Sequence, residues 1–293
     1  MKLKSIATYK WLVSCSSIVL LFSGMAMASP SVQKIKPQEV VAKHLESIGT
    51  PEARQAAKSI VVTGTCSVTT QTAGAGAGKV DGQVVLASEG AKHLIGMTFS
   101  SPDYPLERIG YDGENISVGF LRPGVRSRLG NFIIANQSIF KQGLVGGTLS
   151  TSWALLNLTE SGAKLNYEGL KKIDNRDVHK LGFLPRRGSD MRVSLYFDAQ
   201  TFRHVRSEYE RIVAARQGNS PDASAGQRES RFRLVEDFSD FTKVNNLTLP
   251  RTYKMQMFID VQSGTIIYDW LFNLRQFRVN QPLDANAFDV NAS

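Results

Sequence analysis

Cysteine, histidine and charge are all scarce in this chain, which has two cysteines, four histidines and 21% charged residues in a length of 293. Cys15 lies in the N-terminal stretch read below as a leader. Cys66 alone remains after that leader is lost, so no intramolecular disulfide can form even in an oxidising compartment. Cys66 sits in a β-branched run and reads as a buried structural thiol. The histidines, His44, His93, His179 and His204, are scattered, with no pair at metal-ligand spacing and no His-Glu-x-x-His helix. The chain also lacks a Gly-x-Ser-x-Gly nucleophile elbow. Gly74 to Lys79 imitates a phosphate loop, but Ala73 stands where its first glycine belongs and Val80 where magnesium needs a hydroxyl. No cofactor or metal is expected, and only a triad assembled from distant residues would make this a hydrolase. The low charge and 42% hydrophobic content exclude a disordered polyelectrolyte.

What is present begins with an export signal. Lys2, Lys4 and Lys10 precede a mostly apolar stretch from Trp11 to Met27, and Ala26-Met27-Ala28 offers small residues at the two positions a signal peptidase reads. Cleavage is expected after Ala28, leaving one domain over residues 29–293 in the periplasm. Ser14, Ser16, Ser17, Ser23 and Gly24 interrupt the apolar stretch, which argues against a membrane anchor. Leu12-Val13-Ser14-Cys15 imitates a lipidation site, but Lys10 leaves almost no apolar run ahead of it. No later stretch approaches the roughly 20 apolar residues of a spanning helix. The three leader lysines supply three of the nine net positive charges, so the mature chain carries +6. Ten arginines face six acidic residues between Arg186 and Arg233, which reads as a solvated sheet face. Nucleic acid is not an expected partner, since no pattern of basic residues interleaved with aromatic ones appears.

The mature chain opens with a helix from Pro37, whose Val40, Val41, His44, Leu45 and Ile48 share one face, stopped by Gly49. Thr50-Pro51-Glu52 starts a second, short one. The period then changes to two. Strands are expected at 60–70, 79–89, 91–99, 106–111, 115–120, 163–170, 176–183, 192–198, 204–213, 228–238, 250–261 and 265–278, with a Gly/Ala hairpin tip at 73–78 and a long polar loop at 217–227. Residues 130–158 break the rhythm: bulky apolar side chains recur at mixed helical spacings around Gly143, Gly146 and Gly147, as in two helices joined by a glycine hinge.

Alternation assigns faces. Met191, Val193, Leu195 and Phe197 oppose Arg192, Ser194, Tyr196 and Asp198; Met255 and Met257 oppose Lys254 and Gln256; Trp270 and Phe272 oppose Asp269 and Asn273. About ten antiparallel strands with one apolar face, and helices in two places, make an α+β protein: a strongly curved antiparallel sheet, an incomplete β-barrel with helices covering its open side. The candidate lining of a cavity beneath the sheet is Trp153, Leu195, Phe197, Met255, Met257, Trp270 and Phe272, with Phe132, Ile133, Leu144 and Leu155 as a candidate lid.

Short segments along most of the mature chain also carry a likeness. They are Val41 to Leu45 with Ile48-Gly49, Tyr111-Asp112-Gly113, Leu144 to Gly147, Leu195 to Asp198 with Val205 to Tyr209, Phe238 to Phe241 with Leu249-Pro250, and Asn280 to Leu283 with Phe288. In their order and rhythm they resemble the LolA/LolB superfamily of periplasmic lipoprotein carriers, and more closely the outer-membrane lipoprotein-sorting-like proteins. The resemblance implies an incomplete barrel closed by helices around a cavity that accepts acyl chains. It carries over no individual residue role. Together these readings lead to the expectation of an exported, non-enzymatic binding protein whose partner is a lipid or the acyl chains of a lipoprotein, with transfer to the outer membrane as one use of that binding. The alternatives are an envelope-stress regulator that senses lipid or lipoprotein through the same cavity, with an envelope protein as partner, or an exported hydrolase.

Overall fold

Two proline-started helices lead into a sheet that occupies nearly all the rest of the chain. The computed structural model describes residues 35–72, 75–185, 190–215, 228–284 and 286–291. The leader with its cleavage site, Cys15 and the polar loop at 217–227 lie outside the described residues. Pro37 opens α1 (Pro37–Ile48) where a missing N–H costs nothing, and the helix buries Val40, Val41, His44 and Ile48. Thr50 caps α2 (Pro51–Ala56) by accepting from the Ala53 N–H at 3.2 Å.

Five strands follow: β1 (Ser59–Thr72), β2 (Ala75–Glu89), β3 (Lys92–Phe99), β4 (Leu106–Tyr111) and β5 (Ile116–Val118). A helical stretch interrupts them, comprising α3 (Arg128–Ala135), α4 (Gln137–Lys141), a 3₁₀ turn at Gly147–Leu149 and α5 (Leu158–Ser161). Seven more strands complete the chain: β6 (Lys164–Ile173), β7 (Arg176–Leu184), β8 (Arg192–Asp198), β9 (His204–Val213), β10 (Ser230–Val244), β11 (Leu247–Val261) and β12 (Gly264–Val279). β2 begins at Ala75, so most of the Gly/Ala tract expected to be a hairpin tip is strand, while 73–74 lie outside the described residues. The expected pair of helices is instead a series of short pieces. Gly143, Gly146 and Gly147 take φ of +65°, +85° and +49°, which a continuing right-handed helix does not permit.

All twelve strands form one curved, open antiparallel sheet in the order β5-β4-β3-β2-β1-β12-β11-β10-β9-β8-β7-β6. Each neighbour is the previous strand in sequence except at β1–β12, where the two runs join. The register shifts between Thr63 and Gly64, a bulge that bends the strand. Only glycine fits there, since a Cβ on Gly64 would fall 2.1 Å from the Asn273 carbonyl oxygen. Paired positions share a face, and the pairings carry one apolar face across the sheet: Ile109 with Ile95, Leu86 with Val62, Cys66 with Phe272, Phe272 with Tyr253 and Phe238 with Tyr253. In the β1–β5 run that face is mostly aliphatic. In the β6–β12 run it is rich in aromatic rings. The opposite face is not uniformly wet: Ser194 and Tyr196 of β8 are buried too, and the Tyr196 hydroxyl donates to Glu208 at 2.9 Å.

Candidate functional site

Every side chain proposed from sequence as lining or lid is buried, and all belong to one core cluster. Leu195 and Phe197 come from β8, Met255 and Met257 from β11, Trp270 and Phe272 from β12. Phe132 and Ile133 lie on α3, whereas Leu144, Trp153 and Leu155 lie in the irregular chain that follows α4. The structure thus brings the expected lining and lid together, in a conformation where they pack against one another.

A file of rings runs through this interior. Trp153 stacks on His204 with centroids 4.7 Å apart, His204 lies 4.8 Å from Phe238, Phe238 stacks on Tyr253 at 5.1 Å, and Tyr253 on Phe272 at 4.8 Å. His44 of α1 fixes the end of the file. Its Nδ1–H donates to the Phe202 carbonyl at 3.0 Å, which leaves Nε2 to accept the Trp153 indole N–H at 3.0 Å. Burial holds the His44 pKa down to about 4, so the ring is neutral and in this tautomer at neutral pH. His204 is likewise pushed well below its ordinary value by burial. Its Nδ1 lies against Gly147, where a Cβ would come within 2.8 Å, so the 3₁₀ turn can approach the sheet only because that residue is glycine.

Two buried carboxyl groups anchor the helical stretch. Glu236 of β10 accepts three hydrogen bonds, from the Tyr209 hydroxyl at 2.7 Å, the Tyr253 hydroxyl at 2.5 Å and the Gly146 N–H at 2.8 Å. Glu107 of β4 accepts from the Tyr104 hydroxyl at 2.8 Å and from Ser127, whose oxygen in turn caps α3 by accepting the Gly130 N–H at 2.7 Å. Burial raises both carboxyls to about pKa 7, with the surrounding donors working in the opposite direction. Further along, the Thr151 N–H donates to the Ser88 hydroxyl at 2.9 Å, and Ser152 meets His93 at 3.0 Å. The stretch is therefore held to both runs of the sheet by a few polar contacts among many apolar ones.

Sequence reasoning missed both carboxylates, although a signal existed. Glu236 lies between Leu234 and Phe238, and Glu107 two residues before Ile109, each on the apolar parity of its strand. A charged residue in that place needs buried partners. Cys66 is buried beside Phe272, and burial pushes its thiol up to about 12, in keeping with a structural role. Among the described residues no three His, Cys, Asp or Glu side chains could hold a metal ion, and no helix is long and apolar enough to cross a membrane.

No family model matches the chain, and no curated protein matches it. Solved structures do resemble it. A LolA superfamily protein from Nitrosomonas europaea is 15% identical, with 88% of this chain and 100% of that one covered and a TM-score of 0.47. An outer membrane lipoprotein-sorting protein domain from Vibrio parahaemolyticus is 13% identical, over 86% of this chain and 98% of that one, with a TM-score of 0.41. The MucA/MucB complex of Pseudomonas aeruginosa contributes a chain 8% identical, over 83% of this chain and 100% of its own, with a TM-score of 0.24.

Proposed function

We propose that this chain is an exported, periplasmic, non-enzymatic binding protein. Its leader is removed after Ala28, its single domain spans residues 29–293, and it holds a lipid or the acyl chains of a lipoprotein between the curved sheet and the helical stretch. The observation that carries this reading is how residues 128–161 are attached. They lie in the chain between β5 and β6, the two free edges of the sheet, and pack an almost wholly apolar surface onto its inner face. In the proposed role this stretch is a lid over the open side. Its polar attachments are few, and its backbone turns at three glycines with positive φ.

Such a lid can exchange partners. Phe132, Ile133, Leu144, Trp153 and Leu155 lose their cover when it lifts, each at a cost of about 1.5–3 kcal/mol when fully exposed. A hydrocarbon chain entering beneath the lid restores that cover, so ligand and lid compete for the face formed by Leu195, Phe197, Met255, Met257, Trp270 and Phe272. The lining is mostly apolar with few polar anchors, as lipid sites are.

Mass spectrometry of an organic extract of natively purified protein tests the reading; a stoichiometric lipid is expected. Hydrogen exchange supplies the second test. In lipid-free protein, exchange over 130–158 is expected to exceed that over 191–198 and 253–259, and to slow on addition of an acyl ligand. Equal protection of all three segments, unchanged by ligand, would identify a permanently closed core and end the proposal.

A further inference from the structure

A small funnel opens beside the lid, where the end of α1 and the start of β11 meet the chain just after the 3₁₀ turn. Its cavity measures about 40 Å³. Ile48, Ile60, Trp153, Leu156, Leu247 and Leu249 form its walls, and Trp153 carries it inward to the ring file. Four polar side chains break this apolar surface, and two of them are already paired: Ser150 with Ser152 at 2.7 Å, and Thr151, which donates to the Gly90 carbonyl at 3.0 Å. Two remain. One is Arg54 at the half-exposed rim, whose Nη1 donates to the carbonyls of Leu45 at 2.6 Å and Gly49 at 2.5 Å. Those two bonds lock the guanidinium in place, while Nε–H and the Nη2 donors have no partner among the described residues. The other is Thr148, a lining residue 5% exposed, whose buried hydroxyl has no hydrogen-bond partner among the described residues.

A buried hydroxyl without a partner is costly to keep, and a fixed cation with spare donors at the mouth of an apolar pocket fits one kind of ligand. We infer that this funnel is the entry and head-group site for a single-chain amphiphile with an anionic head, the Arg54 guanidinium and Thr148 hydroxyl taking the head and the apolar walls the first methylenes of the tail. The inference rests on the binding role proposed above and specifies its ligand class. A cavity of about 40 Å³ has room for a carboxylate-sized group but not for a chain, so the tail follows only when the lid segment carrying Trp153 and Leu156 moves. The lid and the head-group site then share residues, and the head docks before the tail is buried.

Fluorescence titration with cis-parinaric acid and its methyl ester tests this on the mature chain. The acid is expected to bind about tenfold more tightly than the ester, the difference made by one charge-assisted contact. Arg54→Gln should bring the acid down to the ester while leaving the ester unchanged, and Arg54→Lys, which keeps the charge, should retain part of the preference. Thr148→Val should weaken the acid alone. Ala57→Trp, which fills the funnel mouth, should weaken both probes at least tenfold; far-UV circular dichroism checks that each variant is folded. Equal binding of acid and ester to the parent chain, untouched by Arg54→Gln or Ala57→Trp, would overturn the funnel assignment and leave the binding role standing. A parent chain that binds neither probe overturns both. A loss of both probes in Arg54→Gln that tracks a fall in Tm would make Arg54 a helix-end cap only, and would also overturn the assignment.

Discussion

Glu107 and Glu236 sit on the same inner face in the two runs of the sheet, and both carboxyls are pushed up to about 7. They reach that value differently. Glu236 is wholly buried and surrounded by three donors, two tyrosine hydroxyls and a lid N–H. Glu107 has a tyrosine hydroxyl and the Ser127 hydroxyl. More donors stabilise the ionised form, but the site that has them also lies beside Asp237, which works against it. The number of hydrogen bonds therefore does not by itself set the protonation state of a buried acid. What separates the two is the object each one holds: Glu236 grips the lid backbone directly, while Glu107 grips the residue that starts the lid's first helix.

Removing each carboxyl should expose that difference. Glu236→Ala strands two buried hydroxyls and a backbone N–H and leaves a void, so urea denaturation is expected to show a loss of about 3–5 kcal/mol. Glu107→Ala leaves fewer donors unpaired and should cost about 2–3 kcal/mol, with faster hydrogen exchange confined to α3. Equal losses with identical exchange patterns would mean that the two acids do not hold separate parts of the lid.

Protonation sharpens the comparison from the other side. Both acids move from 4.5 to about 7 on folding, so the stability each contributes is full below pH 4.5 and is lost as pH rises through about 7. His44 and His93 are held down from 6.5 to about 4, so their contribution is lost as pH falls through that interval. The two sets oppose each other. In the Glu107→Gln/Glu236→Gln double variant only the histidine trend should remain, and stability should rise with pH between 4.5 and 6.5 more steeply than in the parent, by up to about 1.4 kcal/mol per pH unit for each acid removed. An unchanged slope from chemical denaturation across that range would show that the acids do not titrate with folding. The smallest effect is expected at Cys66, which lies on β1 paired with Phe272. Cys66→Ala should cost about 1–2 kcal/mol and leave lipid binding unaltered, and a loss of binding at unchanged stability would contradict its structural role.

Much of this arrangement was legible in the residues. Alternation from Met191 to Phe197 and from Tyr253 to Ile259, where Phe258 alone departs from it, located strands and their faces, because a period of two has no competing reading over such lengths. Pro37 and Gly49 bounded α1 for equally local reasons. The lid stretch was legible as an interruption but not as a shape, since three glycines with left-handed φ make turns whose direction depends on what they pack against. Nor could sequence announce that Glu236 meets Gly146 or that His44 meets Trp153. Those partners lie 90 and 109 residues apart and are brought together only by the curvature of the whole sheet.

The strand order also bears on how the chain is assembled in time. Among the described residues every ladder but one joins strands adjacent in sequence, so each run can form hairpin by hairpin, with one long connection, between β9 and β10, to close. The exception pairs Ile60 with Val279, near the two ends of the folded chain. Until β12 is available the two runs have no ladder between them, and the apolar faces they will share stay exposed to solvent. Joining β1 to β12 is thus expected to be the late, slow step of folding, and a chain crossing a membrane from its N-terminus would complete its sheet only after almost all of its length had emerged.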